Sequence, residues 1–282
     1  MSDATTGRRR ADTGRIVTLT VLVIAAFLWL VPMIWVLAMS LKPNEVLMRT
    51  TAGLLPVPFT LDNFIQILNT AKVTRWFLNS IGVAVLMTGI TLVLSSLGGY
   101  ALARIPFRGA RIMLIFIIAG LTVPEQAVFI PLDTMFASWH MNNTIIALVT
   151  PRLAVPFGVF LMMQFFKAVP KELEEAAILD NASRLKIFFK IMLPLARPAL
   201  TTLGIFTFLY AWNDYLWPLV SATQENHYTI TTGLASLQGN FAQSEGLGFL
   251  MATAVFASAP VLIVYLIFQR YIVQGIAMSS GK

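Results

Sequence analysis

The chain has 282 residues, 57% of them hydrophobic and only 12% charged, with a mean hydropathy of +0.76. An average soluble domain carries about 25% charged residues, so the composition is that of an integral membrane protein. No cysteine is present and only two histidines, His140 and His227, which excludes a disulfide framework or a thiolate zinc site and leaves metal chemistry unexpected.

A membrane-crossing helix needs about 20 mostly apolar residues. The first qualifying stretch, IVTLTVLVIAAFLWLVPMIWVLAMS (Ile16 to Ser40), follows Arg8, Arg9, Arg10 and Arg15. It is longer than the roughly 7 to 15 residues of a signal-peptide core and reads as an uncleaved anchor. Five more follow, at about 76–103, 111–131, 143–166, 198–220 and 249–273. With the N-terminus in the cytoplasm, fifteen of the 20 Lys and Arg fall inside and four (Lys42, Arg49, Lys72, Arg75) outside, with Arg152 near a span. That bias places both termini in the cytoplasm and accounts for most of the net charge of +7, which removes nucleic acid as a partner. Outside, the loop at 41–75 carries Pro56, Pro58 and FTLDNF, and the loop at about 221–248 carries Glu225, His227 and Glu245. No internal repeat and no low-complexity tract is visible.

Between the fourth and fifth spans lies FFKAVPKELEEAAILDNASRLKIFFKIMLPLARPAL (Phe165 to Leu200). Pro170 suits a first helical turn, and Glu172, Glu174 and Glu175 follow where a helix N-terminus favours negative charge. Leu173, Ala176 and Ala177 share one helical face; after the Asn-Ala-Ser turn signal, Leu185, Phe188, Phe189 and Met192 repeat at i, i+3, i+4 and i+7. Two short amphipathic helices are predicted, ended by Pro194 and Pro198. Helices this short need tertiary or partner contacts. One reading lays them on the lipid headgroups; the other inserts them in a groove of a cytoplasmic partner.

Glu175-Ala176-Ala177, three more residues, Asn181, nine more, then Ile191-Met-Leu193-Pro194 resemble the EAA loop (E-A-A-x3-G-x9-I-x-L-P) of inner-membrane permease subunits of binding-protein-dependent ABC importers. The departure is Asn181 for Gly, and Asn is the next most tolerant residue of the left-handed backbone. SLKP, FTLDNF, WFLNS, YALAR, WNDYLWPL and the tail IVQGIAMSSGK resemble the carbohydrate branch, specifically the maltose-type second permease subunit. Together these cover the chain from about residue 30 to its end. The resemblance implies a half-pore in a bacterial inner membrane, a second homologous permease subunit, two cytoplasmic ATPase subunits that bind ATP and Mg, and an extracytoplasmic solute-binding protein. It also implies that Glu174, Glu175, Ala176, Ala177, Asp180, Asn181, Ile191, Leu193 and Pro194 couple to an ATPase subunit, and that the tail reaches between the two ATPases.

No Walker-type GxxxxGK, HExxH or Ser/His/Asp grouping is evident, so neither ATP binding in this chain nor an enzyme is expected. A secondary carrier fits poorly, with six spans, no visible repeat and no buried acidic chain. Glu125 in TVPEQAVFIP and Arg152 in TPRLAVPF are ionisable groups near spans: candidates for the translocation path, with interfacial snorkelling or an intersubunit pair as the alternative and a mutual ion pair open to them. Trp212, Asn213, Asp214 and Tyr215, with Leu216 and Trp217, combine aromatic faces and polar groups suited to sugar, but also suit interface anchoring. The expected protein is all-α: a tail over 1–15, a six-span domain over 16–273 that includes the hairpin loop at 165–197, and a tail over 274–282. Its expected solute is a sugar, oligosaccharide, glycoside or polyol, with sn-glycerol-3-phosphate or a related phosphodiester as the alternative within the same branch.

Overall fold

A computed structural model describes residues 4–49, 55–240 and 246–280; Glu245 and the terminal Gly281-Lys282 lie outside the described residues. In chain order the helices are α1 (Ala4–Ser40), α2 (Asn44–Arg49), α3 (Asp62–Asn69), α4 (Ala71–Arg104), α5 (Ala110–Gly120), α6 (Phe129–Ser138), α7 (Ile145–Val149), α8 (Pro156–Ala168), α9 (Glu172–Leu179), α10 (Arg184–Ile187), α11 (Leu193–Leu195), α12 (Arg197–Asn213), α13 (Leu216–Ser221), α14 (Ile230–Asn240) and α15 (Leu247–Ser280). A π-helical turn, Phe188–Met192, joins α10 to α11. No strand occurs among the described residues.

Three helical stretches are long and apolar enough to cross a membrane unaided: Gly14–Ser40, Ala71–Arg104 and Leu247–Arg270. Three more are bent pairs: Ala110–Gly120 with Glu125–Ser138 at 95°, Ile145–Arg152 with Pro156–Ala168 at 50°, and Arg184–Leu195 with Arg197–Asn213 at 75°. Counting each pair as one span gives six. The expectation of unbroken spans three and four is therefore corrected, whereas the bend at Ala196 falls where the hairpin was expected to end and the fifth span to begin. Hydropathy averages over a window and is blind to a break of a few residues; Pro124 closes the first break, and Pro156 follows the second, where Val155 before it is extended as proline favours. The fifth apolar stretch, expected to run to 220, stops at Asn213; Asp214 is extended and α13 starts afresh. Both stretches read as tails are largely helical: α1 begins at Ala4 and α15 runs to Ser280.

The chain divides into two units, residues 1–70 with 236–256, and 71–235 with 257–282. In the first, the buried side chain of Asn63 donates to the carbonyls of Ser40 (2.9 Å) and Lys42 (2.8 Å), and Asn44 Oδ1 accepts from the amide of Gly248 (2.7 Å). FTLDNF and SLKP are thus two halves of one hydrogen-bonded turn.

In the second unit α4 packs along α8 and α12. The α4–α8 crossing is close because it uses small residues: a Cβ on Gly99 would stand 2.7 Å from the backbone nitrogen of Met163. WFLNS opens α4 and grips the segment after α13. Trp76 Nε1 donates to the Glu225 carbonyl (2.8 Å), Asn79 to the carbonyls of Asn226 and Tyr228 (both 3.0 Å), and Ser80 Oγ accepts from the Ile230 amide (2.8 Å).

Candidate functional site

The loop between α8 and α12 forms a hairpin, but its geometry differs from the helical-wheel reading. The first helix starts at Glu172, two residues after Pro170. It ends in a Schellman motif: the Asn181 amide donates to Ile178 (3.0 Å), the Ala182 amide donates to Ala177 (3.0 Å), and Asn181 has φ 57°. The left-handed residue expected of Asn181 is present, and Ala177, the last Ala of the motif, is buried where the Ala182 amide folds back. Ser183 then caps α10 by accepting from the Lys186 amide (3.3 Å).

The apolar face is also re-partitioned. Ala177, Ile187, Phe188 and Met192 are buried in a cluster with Tyr100, Met162 and Phe166, whereas Leu173, Ala176, Leu185 and Phe189 are exposed. Residues expected on one stripe part company: Phe188 and Met192, with Ile187, turn to the chain's own core, and Leu185 and Phe189 turn outward. Glu174 is buried and paired with Arg104 (4.0 Å); Arg104, only 3% exposed, also donates to the carbonyls of Phe166 (2.6 Å) and Val169. Arg104, the last residue of YALAR, thus caps α8 and seats the hairpin on its own chain; sequence reasoning had counted it only as a cytoplasmic charge. Glu175, Asp180, Asn181 and Pro194 are exposed, and Ile191 and Leu193 are half-buried. Leu179 beside them is 84% exposed, so this side of the hairpin is uncovered among the described residues.

The second assembly lies at the breaks. Glu125 follows the break after α5, Arg152 precedes the break before α8, and Asp214 is the break after α12. Arg152 pairs with Glu125 (3.3 Å) and with Asp214, and its guanidinium lies over the rings of Phe129 (5.3 Å) and Tyr210 (5.0 Å). Tyr210 donates its hydroxyl to Glu125. Arg152 and Asp214 are nearly buried, with side chains 10% and 12% exposed, while Glu125 is half-exposed. The ion pair open to Glu125 and Arg152 is present; Asp214, a candidate in its own right, joins it, and Phe129 and Tyr210 are the members the sequence does not single out. Tyr210 was legible as the residue one helical turn before Asp214.

The freed backbone is hydrogen-bonded by side chains, as irregular segments in a membrane-spanning chain require. Thr91 donates to the Leu153 carbonyl (3.3 Å) and Thr231 to that of Asp214 (2.5 Å). Trp217 donates to Ala147 (3.0 Å) and Trp212 to Ala257 (3.0 Å), both indoles being buried. Asn213 donates to its own helix at Leu209 (2.8 Å), and Tyr215 is exposed beside it. The two tryptophans therefore fasten α12 and α13 to their surroundings; Asn213 and Tyr215 face outward from that anchor, and Asp214 turns to Arg152.

A cavity of about 630 Å³ opens beside this cluster, lined by Met87, Leu121, Phe129, Phe157, Phe206 and Thr207 among others, within the roughly 300–1,000 Å³ usual for ligand sites. A smaller one of about 290 Å³ adjoins it, and both are lined by Glu125, Phe129, Arg152 and Tyr210. Among the described residues no three His, Cys, Asp or Glu side chains group to hold a metal ion.

Residues 95–278 match the model of the binding-protein-dependent transport system inner membrane component family. The chain belongs to that family. The arabinooligosaccharides transport system permease protein AraQ of Halalkalibacterium halodurans is 34% identical to this permease over 91% of this chain and 92% of its own length. The diacetylchitobiose uptake system permease protein NgcG of Streptomyces coelicolor is 31% identical over 93% and 87%. A chain of a bacterial ABC transporter that imports the acidic polysaccharide alginate has the same fold, with a TM-score of 0.81 and 24% identity over 93% of this chain and 98% of that one. The permease is a multi-pass membrane transport subunit and not an enzyme.

Proposed function

We propose that this permease is half of the translocation pathway of an ATP-driven importer for a sugar, oligosaccharide or polyol. An extracytoplasmic binding protein delivers the solute, a second homologous permease completes the path, and two ATPase subunits bind ATP and Mg on the cytoplasmic side, where both termini lie. The observation that carries the coupling is the hairpin's two-sidedness. Arg104, Glu174 and Ala177 seat it on the spans, while Leu173, Ala176, Leu179 and Leu185 present an uncovered apolar face. A groove in an ATPase subunit that takes such a face moves the spans when the ATPase pair closes. The carbohydrate class rests on the relatives, whose names specify arabinooligosaccharides and diacetylchitobiose. Glu125, Arg152, Asn213, Asp214 and Tyr215 border the path, and Trp212 supports it from behind.

The test is reconstitution of the assembled transporter in proteoliposomes with its cognate binding protein. ATP-dependent accumulation of a neutral oligosaccharide supports the reading. An assembled complex whose binding protein takes no saccharide overturns the substrate class. Wild-type uptake by an Ala176→Arg complex that still assembles overturns the docking face.

A further inference from the structure

Among the described residues lining the two adjoining cavities Arg152 is the one basic side chain, and it is already engaged. One terminal nitrogen faces Glu125 (3.3 Å), the other faces Asp214, and the rings of Phe129 and Tyr210 lie against the guanidinium. One guanidinium with two carboxylates carries a formal charge of −1. The cluster borders both cavities, so a solute passing between them passes this charge. Inside protein such a charge is screened far less than in water. We infer that the cluster is a charge filter: it admits uncharged saccharides and turns away acidic ones.

An uncharged sugar finds what it needs there. The half-exposed Glu125 carboxylate accepts hydroxyl hydrogen bonds, and Phe129, Phe206 and Tyr210 offer ring faces to the apolar side of a pyranose. A uronate or phosphate finds no free donor of positive charge and two carboxylates at close range. The inference rests on the importer reading above and narrows its substrate class, excluding the glycerol-phosphate alternative at this subunit.

Saturable binding of tri-mannuronate and of mannotriose, which share a backbone and differ in the C6 carboxylates, tests it by equilibrium dialysis on the assembled transporter without its binding protein. Wild type is expected to bind tri-mannuronate too weakly to saturate. Glu125→Gln, which neutralises the cluster and frees one side of Arg152, is expected to gain tri-mannuronate affinity by roughly tenfold, the scale of one charge-assisted hydrogen bond. Phe206→Lys, which adds a cation at the exposed cavity wall and leaves Glu125, Arg152, Asp214 and Tyr210 unsubstituted, is expected to gain similarly. Saturable tri-mannuronate binding by wild type overturns the inference, as does the absence of gain in both variants once gel filtration shows intact assembly. A cognate binding protein that takes no saccharide removes the importer's substrate class instead, and is measured separately on that protein alone.

Discussion

Arg104 offers a decisive measurement because its three contacts differ in kind. Two are short bonds to carbonyls at the end of α8, one at 2.6 Å to Phe166; the third is an ion pair to Glu174 at 4.0 Å. A carboxylate at that separation contributes less than hydrogen bonds at contact distance, so the carbonyl caps dominate. Arg104→Leu removes all three, leaves two helix-terminal carbonyls unsatisfied and strands a buried carboxylate, for a loss of about 3–5 kcal/mol. Glu174→Gln keeps both caps and a neutral hydrogen-bonding group, and should cost about 1 kcal/mol. The double variant Arg104→Leu/Glu174→Gln removes the stranded charge and should be less damaging than the two single losses added, with a coupling of about 0.5–3 kcal/mol. Arg104→Lys should fall between, because one ammonium lacks the guanidinium's planar fork. Unfolding of the detergent-solubilised permease, followed by tryptophan fluorescence, measures all four, and copurification of the ATPase subunit reports whether the hairpin stays seated. If Glu174→Gln costs as much as Arg104→Leu, the ion pair governs and the capping argument is wrong. Additivity of the pair within about 0.5 kcal/mol would remove the link altogether.

At Asn181, Gly should preserve transport and ATPase association, whereas Val, β-branched at φ 57°, should lose about 1–3 kcal/mol of hairpin stability; equal behaviour of the two in ATPase copurification would reject the Schellman turn. Gly99→Val should force α4 from α8 and prevent assembly by size-exclusion chromatography, while Gly89→Ala, with open space beside it, should not. Trp217→Ala, which empties a fully buried site against Phe129 and Phe136 and orphans the Ala147 carbonyl, should cost about 3–5 kcal/mol in the same unfolding assay. Reporter fusions after Gly109 and Lys186 should report cytoplasm and those after Pro58 and Gly239 the outside; a cytoplasmic Pro58 would contradict the six-span orientation.

The apolar stretches were legible because lipid demands length and hydropathy and little else. The short motifs were legible as a pattern, and the structure shows the physics each carries. Asn63 of FTLDNF bonds the SLKP turn, Trp76, Asn79 and Ser80 of WFLNS bond the segment after α13, and Arg104 of YALAR caps α8. What the sequence did not disclose is which neighbour each residue would find. Trp212 and Trp217 read as sugar platforms or interface anchors because both uses need an exposed ring, yet both are buried and bonded to backbone. Leu185, Phe188, Phe189 and Met192 read as one face for lipid or a partner, because spacing alone does not say which of them the chain's own core will claim; Phe188 and Met192 are buried and Leu185 and Phe189 are exposed.

The breaks are where local propensity and function meet. A break in a membrane-spanning helix exposes carbonyls and amides that lipid cannot satisfy, so it persists only where protein or an aqueous cavity takes them up. Here the breaks after α5 and before α8 and the interruption between α12 and α13 border one pair of cavities: Leu121 and Val123 from the first, Ala154 and Val155 from the second, Asp214 and Tyr215 from the third. Each also brings one ionisable group, Glu125, Arg152 or Asp214, to the same cluster. Arg152 left without both partners would be an uncompensated buried charge, costing several kcal/mol, so the ions hold the breaks together as much as the breaks assemble the ions. Asp214→Asn should therefore do more than change local charge. It should loosen α13 relative to α7, and the loss should appear first as faster amide exchange at Asn143, whose amide donates to the Ser221 carbonyl (3.0 Å) at the end of α13. Unchanged exchange there, with the charge removed, would show that Trp217 and the Asn143 bonds to Ser221, Thr223 and Gln224 carry the fastening without the ion cluster.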